Sequence, residues 1–268
     1  MLNAPEYLSP SSIGTFHQCP LKYKFSRIDG LKEPPTEHTI LGNYVHSILE
    51  EFYRLEAGQR TLLNARTLFR SIWDDYAEDV TKIYRNDAQS ISEFRLRARY
   101  CIENLMKMES PELIEFDGIE TELNHEVKGV KIKGFIDRWA IGDGKINIGD
   151  YKTGKVPQPR FRDDKFDQLL IYAIILSEIE DKDIGTLELL YIKDSVRLTK
   201  DPTKEDINRI TEMLVETRNA IDARCETEVF ETKVGVLCGW CHFKPICPAW
   251  SKKNKCTLKH SPDLSPKM

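Results

Sequence analysis

Three cysteines near the C-terminus, Cys238, Cys241 and Cys247, follow the spacing C-x2-C-x5-C, and Cys19 stands in a CP pair more than two hundred residues earlier. This spacing constrains the fold more than any other feature. A C-x2-C pair can grip one metal centre, and the x5 step brings in a third thiolate from the next turn. If Cys19 supplies the fourth, the two ends of the chain must meet. A four-sulfur site suits tetrahedral zinc or a cubane iron–sulfur cluster, and spacing does not choose between them. The plain alternative is a set of unrelated buried cysteines. The flanking WCHFKPICP would shield either kind of centre. His242 reads as a bystander there, and Cys101, Cys225 and Cys256 as ordinary cysteines.

Composition narrows the class. Of 268 residues, 40% are apolar and 31% charged, as in ordinary soluble globular proteins. The longest apolar run, Leu169 to Leu176, is far short of the roughly 20 residues a membrane-spanning helix needs. The opening MLNAPEYLSP lacks the basic and apolar regions of a secretory signal. The expected setting is a reducing cytoplasm, where clustered cysteines bind metal rather than form disulfides. A net charge of −4 excludes a generic basic coat for nucleic acid. It does not exclude a nuclease, because a metal-binding site without its ion is itself acidic and a basic track can be local. No G-x-x-x-x-G-K-[ST] loop is present, so no nucleotide motor is expected.

Ser9-Pro10 reads as a helix start, with Ile13, Phe16 and Leu21 available to pack. A Pro- and Gly-rich loop from Asp29 to Thr36 follows. The spacing of Val45, Ile48, Leu49, Phe52 and Leu55 predicts a helix over about 42–57, with His46 on its flank. Residues of about 60–110 read as a helical insertion, including an arginine-rich stretch from Glu93 to Arg99. Strands are expected over 119–127, 130–141 and 145–152, the last two joined by the tight turn Gly142-Asp143-Gly144. A helix over about 164–180, apolar on all sides, implies burial between layers. A strand over 187–193 and an amphipathic helix over 203–223 complete the pattern. From Ser251 the chain is polar and lysine-rich and is expected to fray.

The chemistry concentrates in the central strands. Alternation puts Ile146, Ile148, Asp150 and Lys152 on one face. Asp137 lies thirteen residues before Asp150, across the predicted hairpin, so the two acids can converge. Phosphodiester hydrolysis needs a cation on the phosphate and a water activated and held in line. Two carboxylates can hold Mg²⁺ while leaving it water positions, and a nearby lysine can orient the attacking water. The bland reading is a solvent face that happens to carry D-x-K. Against it, both acids end apolar strands. Gln168 and Tyr172 are four apart and share one helix face, placed to bond a phosphate or position the lysine. His46 reads either as a packed histidine or as a ligand, with Gly42 one turn earlier hinting at close approach. Glu122, one strand before, is a weaker candidate for an extra carboxylate. Lys152, Lys155, Arg160 and Arg162, and Lys22, Lys24 and Arg27, could contact phosphates, with Tyr23, Phe25 and Phe161 placed to stack on unpaired bases.

GNYVH around His46, GFIDR around Asp137, GDYKTGK around Asp150 and Lys152, and QLLIY from Gln168 to Tyr172 occur in one order over roughly residues 9–250. Together they resemble the RecB-like branch of the PD-(D/E)xK nucleases. Ile136-Asp137 stands where that family's name has PD, a departure that keeps the acid. The resemblance implies a restriction-endonuclease-like α/β fold: a mixed central sheet flanked by helices, a helical N-terminal region, and a cluster joining the chain ends. It implies His46, Asp137, Asp150 and the Tyr151 carbonyl as ligands of Mg²⁺ or Mn²⁺, Lys152 as the catalytic lysine, and Gln168 and Tyr172 as its support at the DNA. The iron–sulfur branch, which includes the nuclease domain of AddB and the exonucleases of CRISPR adaptation, also has one cysteine before the core and C-x2-C-x5-C after it. On that likeness Cys19, Cys238, Cys241 and Cys247 are expected to hold a structural [4Fe–4S] cluster.

The organisation so implied is a single nuclease domain over 1–268, with cluster-binding segments at about 15–25 and 236–250 and a tail over 251–268. The function so implied is a metal-dependent exonuclease acting on DNA with single strands or free ends, in recombination, repair, phage DNA processing or CRISPR adaptation, with a possible helicase or adaptation-complex partner. The competing readings are a non-catalytic DNA-end-binding subunit of a helicase–nuclease and a zinc-stapled structural protein.

Overall fold

The structure, a computed structural model, describes residues 1–250. The expected tail over 251–268, with Cys256, lies outside the described residues. In chain order the helices are α1 (Pro10–Gln18), α2 (Pro20–Tyr23), α3 (Glu37–Arg54), α4 (Leu62–Ser71), α5 (Trp73–Ile83), α6 (Ala88–Met108), α7 (Asp167–Glu180) and α8 (Lys204–Thr227). The strands are β1 (Gly118–Val127), β2 (Val130–Gly142), β3 (Lys145–Lys152), β4 (Asp183–Tyr191) and β5 (Val196–Lys200). The chain forms two compact units: a central one, Pro35–Val215, and a terminal one built from Met1–Pro34 and the residues from Glu216 onward.

The central unit holds one five-stranded sheet in the order β1-β2-β3-β4-β5. β3 and β4 are parallel and the other neighbours antiparallel, so the sheet is mixed, as expected. The parallel pair requires a crossover, and α7 supplies it. Leu169 through Leu176 of α7 are all buried, which explains a helix without a polar face. Two-residue turns close the β1–β2 and β2–β3 hairpins. Lys128-Gly129 and Asp143-Gly144 carry positive φ at both positions, the geometry that matches strand twist.

α3 starts earlier than its apolar stripe suggests. Thr36 caps it: the Thr39 N–H donates to Thr36 Oγ1 at 3.2 Å, and the Thr36 N–H donates to Thr39 Oγ1 at 2.8 Å. Such caps contribute about 1 kcal/mol and fix the first turn. The stripe packs with α4–α6 into one core, where Tyr44 meets Phe69, Trp73, Tyr76 and Phe94. The helical insertion is thus an apolar layer continuous with α3. Strand β5 has no counterpart in the sequence reading, and β4 begins four residues earlier than expected.

In the terminal unit, Ser9 caps α1 through Ser12, with Pro10 at the first helical position. Backbone bonds tie early residues to late ones: the Leu21 N–H donates to the Glu231 carbonyl at 3.1 Å, and the Leu2 N–H to the Cys225 carbonyl at 3.0 Å. Phe16 packs edge-on against Tyr23, with the Arg224 guanidinium over the Phe16 ring.

Candidate active site

The β2–β3 ladder runs from Gly142 opposite Lys145 to Arg138 opposite Gly149 and stops there. The next positions are Asp137 and Asp150, so the two acids stand where the strands part. β3 stays paired with β4 as far as Lys152 opposite Tyr191. Polar groups at the fork find other partners. The Tyr151 N–H donates to Asp137 Oδ2 at 2.7 Å. His46, on α3, donates from Nε2 to the Tyr151 carbonyl at 2.9 Å. Its Nδ1 lies 3.4 Å from Asp137 Oδ1 and 4.0 Å from Glu120 Oε1. The Lys152 ammonium sits 2.6 Å from Asp150 Oδ2. Beyond that ion pair, no other donor among the described residues reaches this buried oxygen.

Burial and crowding set the charges. Burial, then the neighbouring Asp137 carboxylate, pushes Asp150 up to about 6. Glu120 rises to about 7 for the same two reasons. Burial opposes a charge on His46, but Asp137, Asp150 and Glu120 outweigh it and carry the imidazole up to about 9. Burial likewise opposes the Asp137 charge, yet His46 and the Tyr151 N–H hold that carboxyl below its ordinary range. The cleft has more negative charge than its own residues neutralise comfortably, the condition a bound cation relieves.

The donor set fits a hard divalent cation. Ligand atoms of His46, Glu120 and Asp137 lie within 4.8 Å of one another. His46 faces Asp137 and Glu120 with the nitrogen, Nδ1, that is not tied to the Tyr151 carbonyl. The buried Asp150 Oδ2, held only by its ion pair with Lys152, supplies a further acceptor.

Glu120 is the residue sequence reasoning missed; it had looked to Glu122. Counting outward from the Lys128-Gly129 turn puts Glu120 directly opposite Asp137, and that count was available in the sequence. Glu122 instead stands opposite Phe135 and pairs with Lys133 at 2.7 Å, half exposed. Glu120 takes a left-handed backbone, φ 45°, and drops out of the pairing between Ile119 and Thr121. A non-glycine residue there is strained, and such strain clusters at functional positions.

The fork is braced from behind. The Tyr151 ring enters the helical core beside Tyr53. Arg138 donates to the Tyr151 hydroxyl at 3.1 Å and lies over its ring. The buried Glu109 takes Arg138 in a fork of 2.7 and 3.0 Å and also accepts from the Tyr53 hydroxyl. Gly149 is required there, because a side chain would collide with Arg138.

On α7, Gln168 hydrogen-bonds the Tyr172 hydroxyl, and Tyr172 is buried against Gly134. Gly42 is less demanding: a Cβ there would meet Thr153 Oγ1 at 3.6 Å, an ordinary contact. Lys155 and Arg160 are exposed, and Arg160 lies over the half-exposed Phe161 ring at 4.6 Å. The second basic cluster is corrected. Tyr23 has no exposed surface, so it cannot stack on a base. Lys22 and Lys24 are paired with Glu33 and Asp29, and Phe25 packs on Phe243.

The four cysteines of the expected cluster, Cys19, Cys238, Cys241 and Cys247, all fall in the terminal unit with free thiols. Burial raises the Cys247 thiol, and Cys19, Cys238 and Cys241 raise it further by their charge. Backbone N–H groups of Lys233 and Gly235 donate to the sulfurs of Cys19 and Cys238, each at 3.5 Å.

Residues 7–248 match the model of the PD-(D/E)XK nuclease superfamily. The chain belongs to that superfamily. Among its relatives, the Gene 69 protein of Mycobacterium phage L5 is 22% identical, over 90% of this chain and 96% of the phage protein. One subunit of the ATP-dependent helicase/deoxyribonuclease of Streptococcus agalactiae is 26% identical over 77% of this chain, which spans 19% of that longer protein. A Eubacterium rectale protein of inferred exonuclease function shares the fold, with a TM-score of 0.61 at 16% identity, covering 95% of this chain and 94% of its own. No helix among the described residues is long and apolar enough to cross a membrane. For a PD-(D/E)XK nuclease, the fork at Asp137 and Asp150 is the place to seek the chemistry.

Proposed function

We infer that this nuclease is a divalent-metal-dependent DNA exonuclease, acting on single-stranded DNA ends in the cytoplasm. The observation that carries the reading is the fork itself, where the buried Asp150, Asp137, His46 and Lys152 converge. Asp137, Asp150, His46 and the Tyr151 carbonyl would hold Mg²⁺ or Mn²⁺, with Glu120 as an added carboxylate. When bound, the ion supplies charge neutralisation at the phosphate and lowers the pKa of its water. Lys152, anchored by Asp150, donates to the attacking water and holds it in line with the leaving 3′ oxygen. Gln168 and Tyr172, bonded to each other on α7, support that lysine beside the DNA. Lys155, Arg160 and Phe161 suit a strand with unpaired bases.

The iron–sulfur cluster belongs to the same reading. Four thiols that share one electrostatic neighbourhood, two of them accepting backbone N–H groups, support a cysteine-held centre in the terminal unit. The likeness to the streptococcal helicase/deoxyribonuclease and to a phage protein supports work on DNA ends in a helicase–nuclease or phage setting. A family match running from residue 7 to 248 supports one nuclease domain that uses both compact units.

The test is digestion of 5′- and 3′-labelled DNA in Mn²⁺. Wild type is expected to shorten the strand from an end, while Asp150→Ala and Lys152→Ala leave it intact. Wild type that binds the DNA but never cuts it would instead establish a non-catalytic end-binding role.

A further inference from the structure

The arginine-rich stretch of α6 takes no part in the fork. Arg95 and Arg99 line a separate cavity of about 480 Å³ in the helical insertion, together with Phe69, Ile91, Ser92 and Leu96. Arg95 is held in place by rings: its guanidinium lies 4.7 Å from the Trp73 centroid and 5.7 Å from that of Phe69. Its Nε is buried and has no hydrogen-bond partner among the described residues, and no acid lines the cavity. Arg99 shares its acid, since Glu103 Oε1 takes Arg99 at 2.8 Å and Arg66 at 2.7 Å. Of the two arginines that line the cavity, Arg99 has half a share of one carboxylate and Arg95 has no acid in the lining, so the site is positive and its more rigid member still has donors to offer. Beside it on the helix, Leu96 and Tyr100 are 44% and 52% exposed and so open to a ligand.

We propose that this cavity binds one nucleotide, its phosphate on Arg95 and Arg99 and its base against Leu96 and Phe69. A planar guanidinium fixed over aromatic rings is pre-organised for a phosphate fork. Apolar groups beside it accept the face of any base, giving binding without sequence preference. The nucleotide is a unit of a single DNA strand, which rests on the nuclease reading above; a free mononucleotide would offer the same chemistry.

The experiment uses the full chain in EDTA, where cutting is silent. Binding of fluorescein-labelled (dT)20 is measured by anisotropy over a salt series, and dTMP is titrated against Trp73 emission, with Trp73→Phe identifying that signal. Arg95→Gln is expected to weaken (dT)20 binding about tenfold. It should also flatten the slope of log K on log[salt] by about 0.7, the effect of one lost phosphate contact on a single strand. Loss of (dT)20 affinity alone assigns the site to the strand. Loss of the dTMP signal alone assigns it to a free nucleotide and overturns the strand assignment. A folded Arg95→Gln variant that matches wild type in affinity, salt slope and dTMP titration overturns the proposal entirely. Should that variant unfold, Leu96→Ala, changed at an exposed position, carries the affinity and dTMP arms of the test. A wild type that binds here but never cuts in Mn²⁺ sinks the nuclease reading and leaves this one standing.

Discussion

Asp150, Glu120 and His46 each hold a proton more tightly in the fold than they would in an open chain. A raised pKa stabilises below the group's ordinary value and loses that effect as pH climbs through the folded value. For Asp150 the loss falls between about 4 and about 6 and is on the order of 3 kcal/mol. For Glu120 it ends near 7, and for His46 near 9. All three face Asp137, His46 faces both acids, Asp150 also faces Lys152, and Glu120 also faces Glu50 and Arg54. Asp137 works the other way, but its effect is lost only as pH falls below the ordinary carboxylate range. Metal-free protein should therefore melt at progressively lower temperature from pH 5 to pH 9. Asp150→Asn should flatten the early part of that slope, as scanning calorimetry in EDTA would show. Mn²⁺ should restore more melting temperature at pH 8 than at pH 5.5. Calorimetric Mn²⁺ titration should also show Glu120→Gln binding about tenfold or more weakly. Equal affinity would remove Glu120 from the ligand set.

At the scale of elements, the fork depends on what lies behind it. Arg138 and Glu109 are almost fully buried, so removing one leaves the other with only a longer ion pair of 3.4 Å, Glu188 for Arg138 and Arg197 for Glu109. Arg138→Ala should cost about 3–5 kcal/mol in urea unfolding. Gly134→Ala drives a methyl into the Tyr172 ring and should cost about 1–3 kcal/mol. Much of this architecture was legible beforehand. Gly142-Asp143-Gly144 announced a hairpin, and a helix over about 164–180 with a middle apolar on all sides announced burial between layers, which α7 bears out. β5 was hidden because five residues, Val196–Lys200, half exposed on an edge, leave little apolar pattern to read. Tyr23 was misjudged because lysines flank it in sequence, while the helix turns its ring inward. Glu120 escaped notice because strand alternation treats it and Glu122 alike; only the cross-strand count separates them.

For the whole molecule, the cysteine spacing foretold that early and late segments would share a unit. The backbone ties at Leu21 and Leu2 join those segments through ordinary hydrogen bonds. Cys241→Ser should lose iron and sulfide on analysis and lower the melting temperature through the terminal unit. A wild type that carries zinc instead would retire the cubane and keep the staple. The shared unit also has a cost during synthesis. At about 5–20 residues per second, the ribosome needs roughly 10–40 seconds to make the stretch between Pro34 and Glu216. Throughout that interval Leu8, Ile13 and Phe16, buried in the finished protein, have no late segment to cover them. Nascent chains arrested before residue 216 should recruit a holding chaperone at their first thirty-odd residues, and chains released at full length should let it go.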